Sequence, residues 1–170
     1  MKVAATLEYE KRQEIGVGEG MNSKVYLAHD PQLGGQIVVK EVPISTFGNT
    51  VDTYFAEAQA MFASTHPNVV PVHYAGTAGS SICIAMPHFS RGSWAKQLAV
   101  GPSPVSTVVR IGQDVLAGLA HIHIGGYVHF DVKPSNILLS STGRGVLSDF
   151  GQSRTIGPNG TIKLPPLYWA

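Results

Sequence analysis

The chain is poor in charge. Asp, Glu, Lys and Arg make up 14% of its 170 residues, against roughly 25% in ordinary soluble domains. The net charge is +1, which leaves no electrostatic footprint for nucleic acid or an anionic membrane, and neither is expected as a partner. So few charges imply a surface of small polar residues, or one partly apolar and open to a partner. There is one cysteine, Cys83, inside the apolar run ICIAM. That excludes an internal disulfide and reads as a small buried hydrophobe. No run approaches the ~20 apolar residues of a membrane span, and the opening MKVAATLEYEKRQ lacks the apolar core of a signal peptide. Internal repeats and low-complexity segments are absent. Histidine and cysteine ligand spacing is missing too: His121 and His123 stand two apart on an expected helix and point to different sides. The expectation is a soluble cytoplasmic protein, long enough to bury roughly 70% of the surface of its unfolded chain.

What is present changes character along the chain. QEIGVG, SKVYLA and IVVKEV read as strands joined by glycines and by the turn cluster DPQLGGQ. Over residues 50–63 the period becomes helical, with Val51, Phe55, Ala58 and Phe62 on one stripe, and Pro67 stops the helix. VVPVHYAG and SSICIAM read as two more strands. Ser103 and Pro104 supply an N-cap and first turn. A helix of about five turns follows, with Val105, Val108, Ile111, Val115, Leu119 and Ile122 as its stripe and Gly125–Gly126 as its end. Three short strand-like runs, YVHFD, NILLS and GVLSD, then surround a polar loop.

Four stretches carry chemistry. In GVGEGMNSKV, glycines let backbone N–H groups approach phosphates without a Cβ in the way. A strand follows them instead of a helix, so they sit at a hairpin tip. Lys40 ends the apolar run IVVK, and a buried lysine needs a partner; Glu57 on the following helix is the candidate. Asp131, Lys133 and Asn136 fall within six residues, and Asp149-Phe150-Gly151 comes 13 residues after Asn136. Carboxylate and amide oxygens on neighbouring short strands suit Mg2+. A further carboxylate can accept a hydroxyl proton, and a lysine beside it can neutralise a transferring phosphate.

Taken in order, these motifs resemble the eukaryotic-type protein kinase catalytic domain, over residues from about 9 to the last. The glycine loop at 18–25, VVK at 38–40, Glu57, HPNVV at 66–70, MPHFSRGSW at 86–94, HFDVKPSN at 129–136, DFG at 149–151 and YWA at 168–170 follow the family order. The resemblance implies an α+β, bilobal kinase-like fold: a β-rich N-lobe at 9–86 with one helix, a hinge at 87–92, and a partial helical C-lobe at 93–170. It implies Mg2+ and ATP as cofactor and co-substrate. Val17, Gly18, Gly20, Ser23 and Val25 would form the loop over ATP, with Ser23 where a third glycine is usual. Val25, Val38 and Leu138 would enclose the adenine, with Met86 as gatekeeper and the carbonyl of Pro87 and N–H of Phe89 at its edge. Lys40, paired with Glu57, would hold the α/β-phosphates. Asp131 would be the catalytic base and Lys133 would touch the γ-phosphate. Asn136 and Asp149 would bind Mg2+. The lysine two residues after the aspartate resembles Ser/Thr kinases, so the implied substrate is a protein hydroxyl.

Three departures bear on this. Phe130 replaces the arginine that gathers a phosphorylated activation loop, which gives little reason to expect control through Ser153, Thr155 or Thr161. Pro165 replaces a threonine that contacts the catalytic aspartate. The sequence also stops where the family continues into large helices. On that ground the inner face of the 104–124 helix and one side of His129 are expected to be exposed, giving a patch for self-association or a partner. Two other readings follow: an ATP-binding but inactive module, and a non-enzymatic interaction fragment.

Overall fold

The structure, a computed structural model, describes residues 8–18, 23–47 and 55–162. Gly20, Val51 and Pro165, all singled out above, lie outside the described residues. Contacts divide the chain into two compact units. One contains the described residues up to Ala56 together with 72–88, and the other contains 57–71 and the described residues from 89 onward.

The first unit is an antiparallel sheet of β1 (Glu10–Gly18), β2 (Ser23–Asp30), β3 (Gly35–Pro43), β4 (Tyr74–Ala78) and β5 (Ser81–Pro87), in the order β1-β2-β3-β5-β4. β-branched residues and alternation produce it, and the register sorts its faces. Ala28, Ile37, Val39, Cys83 and Ala85 form one buried cluster, with Tyr9 and Tyr74 packed on it. Burial pushes the Cys83 thiol above its ordinary pKa. Two polar clamps close this face. The Tyr9 hydroxyl donates to Glu41 Oε1 at 2.6 Å, and Lys11 Nζ lies 2.7 Å from the same oxygen. The Tyr74 hydroxyl donates to Asp30 Oδ2 at 2.8 Å, while Asp30 Oδ1 accepts the N–H groups of Gln32 and Leu33 and so fixes the β2–β3 turn.

The stretch VVPVHYAG does not form one strand. Val69 bridges to Leu147, and the Val70 N–H donates to the Leu147 carbonyl at 2.9 Å. Pro71, which has no N–H to give a ladder, separates them from β4, which begins only at Tyr74.

The second unit contains α1 (Ala56–Ala63) from Glu57 on, α2 (Trp94–Val100) and α3 (Val105–Ile124). It also holds the ribbons β6 (Tyr127–Val128) with β9 (Arg154–Thr155) and β7 (Ile137–Leu139) with β8 (Gly145–Leu147). In α1 the buried residues are Ala58, Ala60 and Met61, whereas Phe62 is 74% exposed. Of the expected stripe Ala58 faces inward but Phe62 does not; Ala60 and the flexible Met61 are buried in its place. α2 was not expected. Its cap is Ser93, whose Oγ accepts the Lys96 N–H. Ser103 does not cap α3 either. Its hydroxyl accepts from Trp94 Nε1 at 3.3 Å, and Pro104, in extended geometry, takes the cap position.

The stripe on α3 is half right. Ile111 and Val115 pack with Ile137 and Leu139 against Trp94 and Leu119, and Ile122 is buried as well. Val105 and Val108 at its start are exposed. The inner face is thus mostly covered, because β7 and β8 pack on it. Between Ile111 and Val115 sits a carboxylate, Asp114, on the same buried face. Its Oδ1 accepts from Arg144 Nε at 2.7 Å and its Oδ2 from the Gly145 N–H at 2.8 Å. Burial raises its pKa, but the Arg144 and Gly145 hydrogen bonds more than offset that and hold the carboxyl below its ordinary value. One turn further along, α3 approaches the 64–71 segment so closely that a Cβ on Gly118 would stand 2.7 Å from the Asn68 carbonyl oxygen. Gly125 closes the helix, its N–H donating to the His121 carbonyl, and Gly126 follows at φ 79°.

Candidate active site

Beyond β6 the backbone leaves regular geometry. Phe130 adopts a φ of 64° and Asp149 one of 62°. For a residue with a Cβ, left-handed geometry costs of order 1 kcal/mol or more. Two such residues therefore persist only where their surroundings hold them.

His129 is one of the holders. It is 1% exposed, contrary to the expectation of an uncovered ring, because Phe150 packs edge-on against it with centroids 4.9 Å apart. The Asp131 N–H points at His129 Nδ1 at 3.2 Å. A backbone N–H can only donate, so Nδ1 carries the lone pair and Nε2 the proton. Nε2 then donates to the Ser148 carbonyl at 3.1 Å. Burial keeps this imidazole below its ordinary pKa, against the opposing pull of the Ser148 carbonyl, Asp149 and Asp131.

Asn136 is the second holder. Its Nδ2 donates to Asp131 Oδ2 at 2.8 Å and to the Asp131 carbonyl at 2.9 Å. Both partners are acceptors, so the amide's NH2 must face them and its Oδ1 faces away. Lys133 Nζ lies 3.1 Å from the same Asp131 oxygen. The Asn136 carbonyl in turn accepts both the N–H and the Oγ of Ser148, at 2.9 and 3.0 Å. That ties the turn at Pro134–Asn136 to the residue before Asp149. The structure thus joins Asp131, Lys133 and Asn136 in direct contact and links Asp149 to them through Ser148. Leu138 is half-buried in β7 and bridged to Ser93. Near these residues Ser153 donates its N–H to the Phe150 carbonyl, and Thr155 pairs with Tyr127 in the β6–β9 ribbon.

The sheet of the first unit carries further residues that the sequence singled out. The register sets Val25 opposite Lys40 and Val38 opposite Met86. With two-residue alternation these four share one face, opposite the Ile37–Val39 cluster. Lys40 is 5% exposed on that face. Ser23 falls on it by the same alternation. It is buried, and its hydroxyl has no hydrogen-bond partner among the described residues. Pro87 closes β5, and Phe89 lies two residues beyond, its carbonyl accepting the Gly92 N–H. Val17 and Gly18 end β1. Glu57 stands in the first turn of α1 in the second unit, where a carboxylate complements the helix's positive end.

Sequence reading missed the His129 clamp and the Asp114–Arg144 pair. A signal for the second was available: a lone carboxylate between two apolar residues on a buried helix face demands a cation.

Among the described residues, no helix is long and apolar enough to cross a membrane. Comparison with known proteins gives a consistent result. The serine/threonine-protein kinase pkn2 of Myxococcus xanthus is 30% identical over 148 residues, which are 84% of this chain and 18% of that protein. PknJ of Mycobacterium tuberculosis, a serine/threonine-protein kinase, is 31% identical over 156 residues, 88% of this chain and 26% of that protein. The MAP kinase kinase kinase wis4 of Schizosaccharomyces pombe is 34% identical over 146 residues, 84% of this chain and 10% of that protein. The chain therefore spans about a quarter or less of the length of these relatives. The protein kinase domain family matches it across residues 9–167, a span holding the motifs from the glycine loop to DFG, and the chain belongs to that family.

Proposed function

We infer that the chain is the phosphoryl-transfer part of a serine/threonine protein kinase, moving the γ-phosphate of ATP to a protein hydroxyl. The observation that carries this reading is the triangle of Asp131, Lys133 and Asn136. Lys133 and Asn136 both hold Oδ2 of Asp131, so the carboxylate is fixed in orientation and can take the proton of an incoming hydroxyl as general base. Lys133 brings a cation beside that position, where charge moves onto the transferred group.

The donor set fits Mg2+. Asn136 turns Oδ1 away from the loop, and Asp149 adds a carboxylate; a hard cation takes such oxygens and completes its shell with water and phosphate. When bound, the ion would neutralise phosphate charge and orient the γ-group. The first unit fits a nucleotide in the same sense. Ser23 supplies an unpartnered hydroxyl on the face that bears Lys40. Lys40, paired with Glu57, is assigned to the phosphates, and Val25, Val38, Met86 and Leu138 to the adenine, with the Pro87 carbonyl and Phe89 N–H at its edge. The same reading places the chain in the cytoplasm, where Mg2+ and ATP are both available.

The test is transfer of labelled γ-phosphate to casein with Mg2+ present, comparing the chain with Asp131→Asn. Transfer that falls by about 100-fold or more in the variant supports the reading. Equal transfer by both proteins overturns Asp131 as base. No transfer by either, with nucleotide still bound, favours a binding module without catalysis.

A further inference from the structure

The β7–β8 turn, Ser140–Gly143, is closed by the Gly143 N–H donating to the Ser140 carbonyl at 2.8 Å, with Gly143 at φ 76°. Three arginines from three separate segments meet there. Arg91, from the turn before α2, points Nη1 at the Ser141 carbonyl at 3.4 Å. Arg110, on α3, donates Nη1 to the Gly143 carbonyl at 2.6 Å. Arg144 follows the turn directly.

Bringing three guanidinium groups together is unfavourable unless anions offset them. Among the described residues one is at hand, Asp114, whose oxygens accept from Arg144 and the Gly145 N–H and whose charge also acts on Arg110. Arg91 and Arg110 form no close ion pair with a carboxylate among the described residues; each donates to a neutral carbonyl, with most of its five N–H donors left over. They also converge. Arg91 Nη1 lies 3.5 Å, and Arg110 Nη2 and Nη1 3.6 and 3.7 Å, from the one point where a Cβ on Gly143 would stand. Both guanidiniums thus flank the same residue of the turn. One carboxylate shared among three guanidiniums leaves positive charge in excess beside the turn, and the planar fork of arginine fits phosphate oxygens.

The turn itself offers hydroxyls. Ser140 Oγ is engaged by the Arg144 N–H and by Thr142 Oγ1, both at 3.0 Å. Ser141 is exposed, its hydroxyl has no partner among the described residues, and its own carbonyl is the one Arg91 reaches.

We propose that this turn is a phosphate-monoester site formed by Arg91 and Arg110, with the phosphate presented on Ser141. Its formation moves the γ-phosphoryl group of a nucleoside triphosphate onto Ser141 Oγ. The O–P bond forms, the bond from the γ-phosphorus to the β–γ bridging oxygen breaks, the nucleoside diphosphate leaves, and the hydroxyl proton passes to solvent. The ester then gains charge-assisted hydrogen bonds from two arginines on either side, locking the turn to α3 and to the segment before α2. The proposal does not rest on the chain's own catalytic activity.

The test uses the chain carrying phosphoserine incorporated at position 141, followed by phosphorus NMR across pH. The expected result is a phosphate titrating about one pH unit below a free phosphoserine peptide, because neighbouring cations favour its dianion. That displacement should disappear in Arg91→Gln with Arg110→Gln, variants that keep a donor for each carbonyl but remove the charge. A second arm adds free O-phosphoserine to the unmodified chain and follows the arginine side-chain N–H signals. Ordinary titration of phosphoserine 141 together with saturable shifts at Arg91 and Arg110 overturns presentation by Ser141 and assigns the site to an external phosphate monoester. Ordinary titration with no shifts overturns the site altogether.

Discussion

The sheet of the first unit and the 128–151 segment of the second are built by different means. The sheet is three antiparallel hairpins, β1–β2, β2–β3 and β4–β5, joined by the β3–β5 pairing; its ladders are made by the backbone, and many side chains could satisfy them. Only seven residues of the 128–151 segment lie in strands: Val128 of β6, Ile137–Leu139 and Gly145–Leu147. It is held by individual side chains hydrogen-bonded to individual backbone groups, around two residues in left-handed geometry. A hairpin ladder spreads its stability over many equivalent bonds, whereas each of these side chains has no substitute. Damage should therefore be mild in the sheet's surface clamps and severe wherever a buried polar group serves the second unit.

The largest loss of stability should come from Asp114→Ala. It orphans the buried Gly145 N–H and strips Arg144 of its carboxylate, and the unmade hydrogen bond alone is worth about 1–3 kcal/mol. Urea unfolding should show a clear drop in midpoint; an unchanged midpoint would remove the contrast drawn here. Gly118→Ala should follow closely. The Cβ would meet the Asn68 carbonyl at 2.7 Å, against a backbone that cannot step aside cheaply, for a cost of about 1–3 kcal/mol. Stability equal to the parent's would mean that α3 shifts freely.

Acid should act on the second unit next. His129 and His66 are both held below their ordinary pKa, chiefly by burial, with the His121 ring stacked 5.0 Å from His66 adding to the effect there. Folding thus favours their neutral forms. Their contribution is fully present above the unfolded value of about 6.5 and is lost as pH falls through the lower folded values. Asp114, also lowered, adds a second loss below its unfolded value of about 3.9. Thermal melting from pH 7.5 to 5 should show the first step, and His129→Gln should reduce it; a melting temperature flat over that range would contradict the assignment of rings kept neutral by folding. The smallest effect is expected from Lys11→Ala. Its bridge to Glu41 has an exposed lysine and should be worth less than about 1 kcal/mol. A larger shift would show that the sheet, too, depends on single side chains.

The same contrast explains what was legible beforehand. The strands of the first unit could be read from alternation and glycine turns because local pattern decides them. VVPVHYAG misled because its first valines pair with Leu147, 77 positions beyond Val70 in the chain, a partner that no local pattern announces. Phe62 misled because spacing alone cannot tell which side of a short helix faces inward, and here alanines and a methionine do. Ser103 looked like a cap but was claimed by an indole. In the site, Asp131, Lys133, Asn136 and Asp149 were legible through a family pattern. Their holders His129 and Ser148 were not, since a ring bridging two backbone groups leaves no periodic trace.

His129 also sets the accuracy of the site. Along the chain, it and Ser148 are 19 residues apart, and small errors of bond rotation over such a path would accumulate. Across the ring they are separated by one rigid five-membered heterocycle whose two nitrogens lie a fixed distance apart. The imidazole works as a gauge block between the loop of Asp131 and the strand leading to Asp149. Changes in length at the intervening Ser140–Arg144 turn should therefore leave the spacing of those two carboxylates intact, because that spacing is measured through the ring and not along the chain.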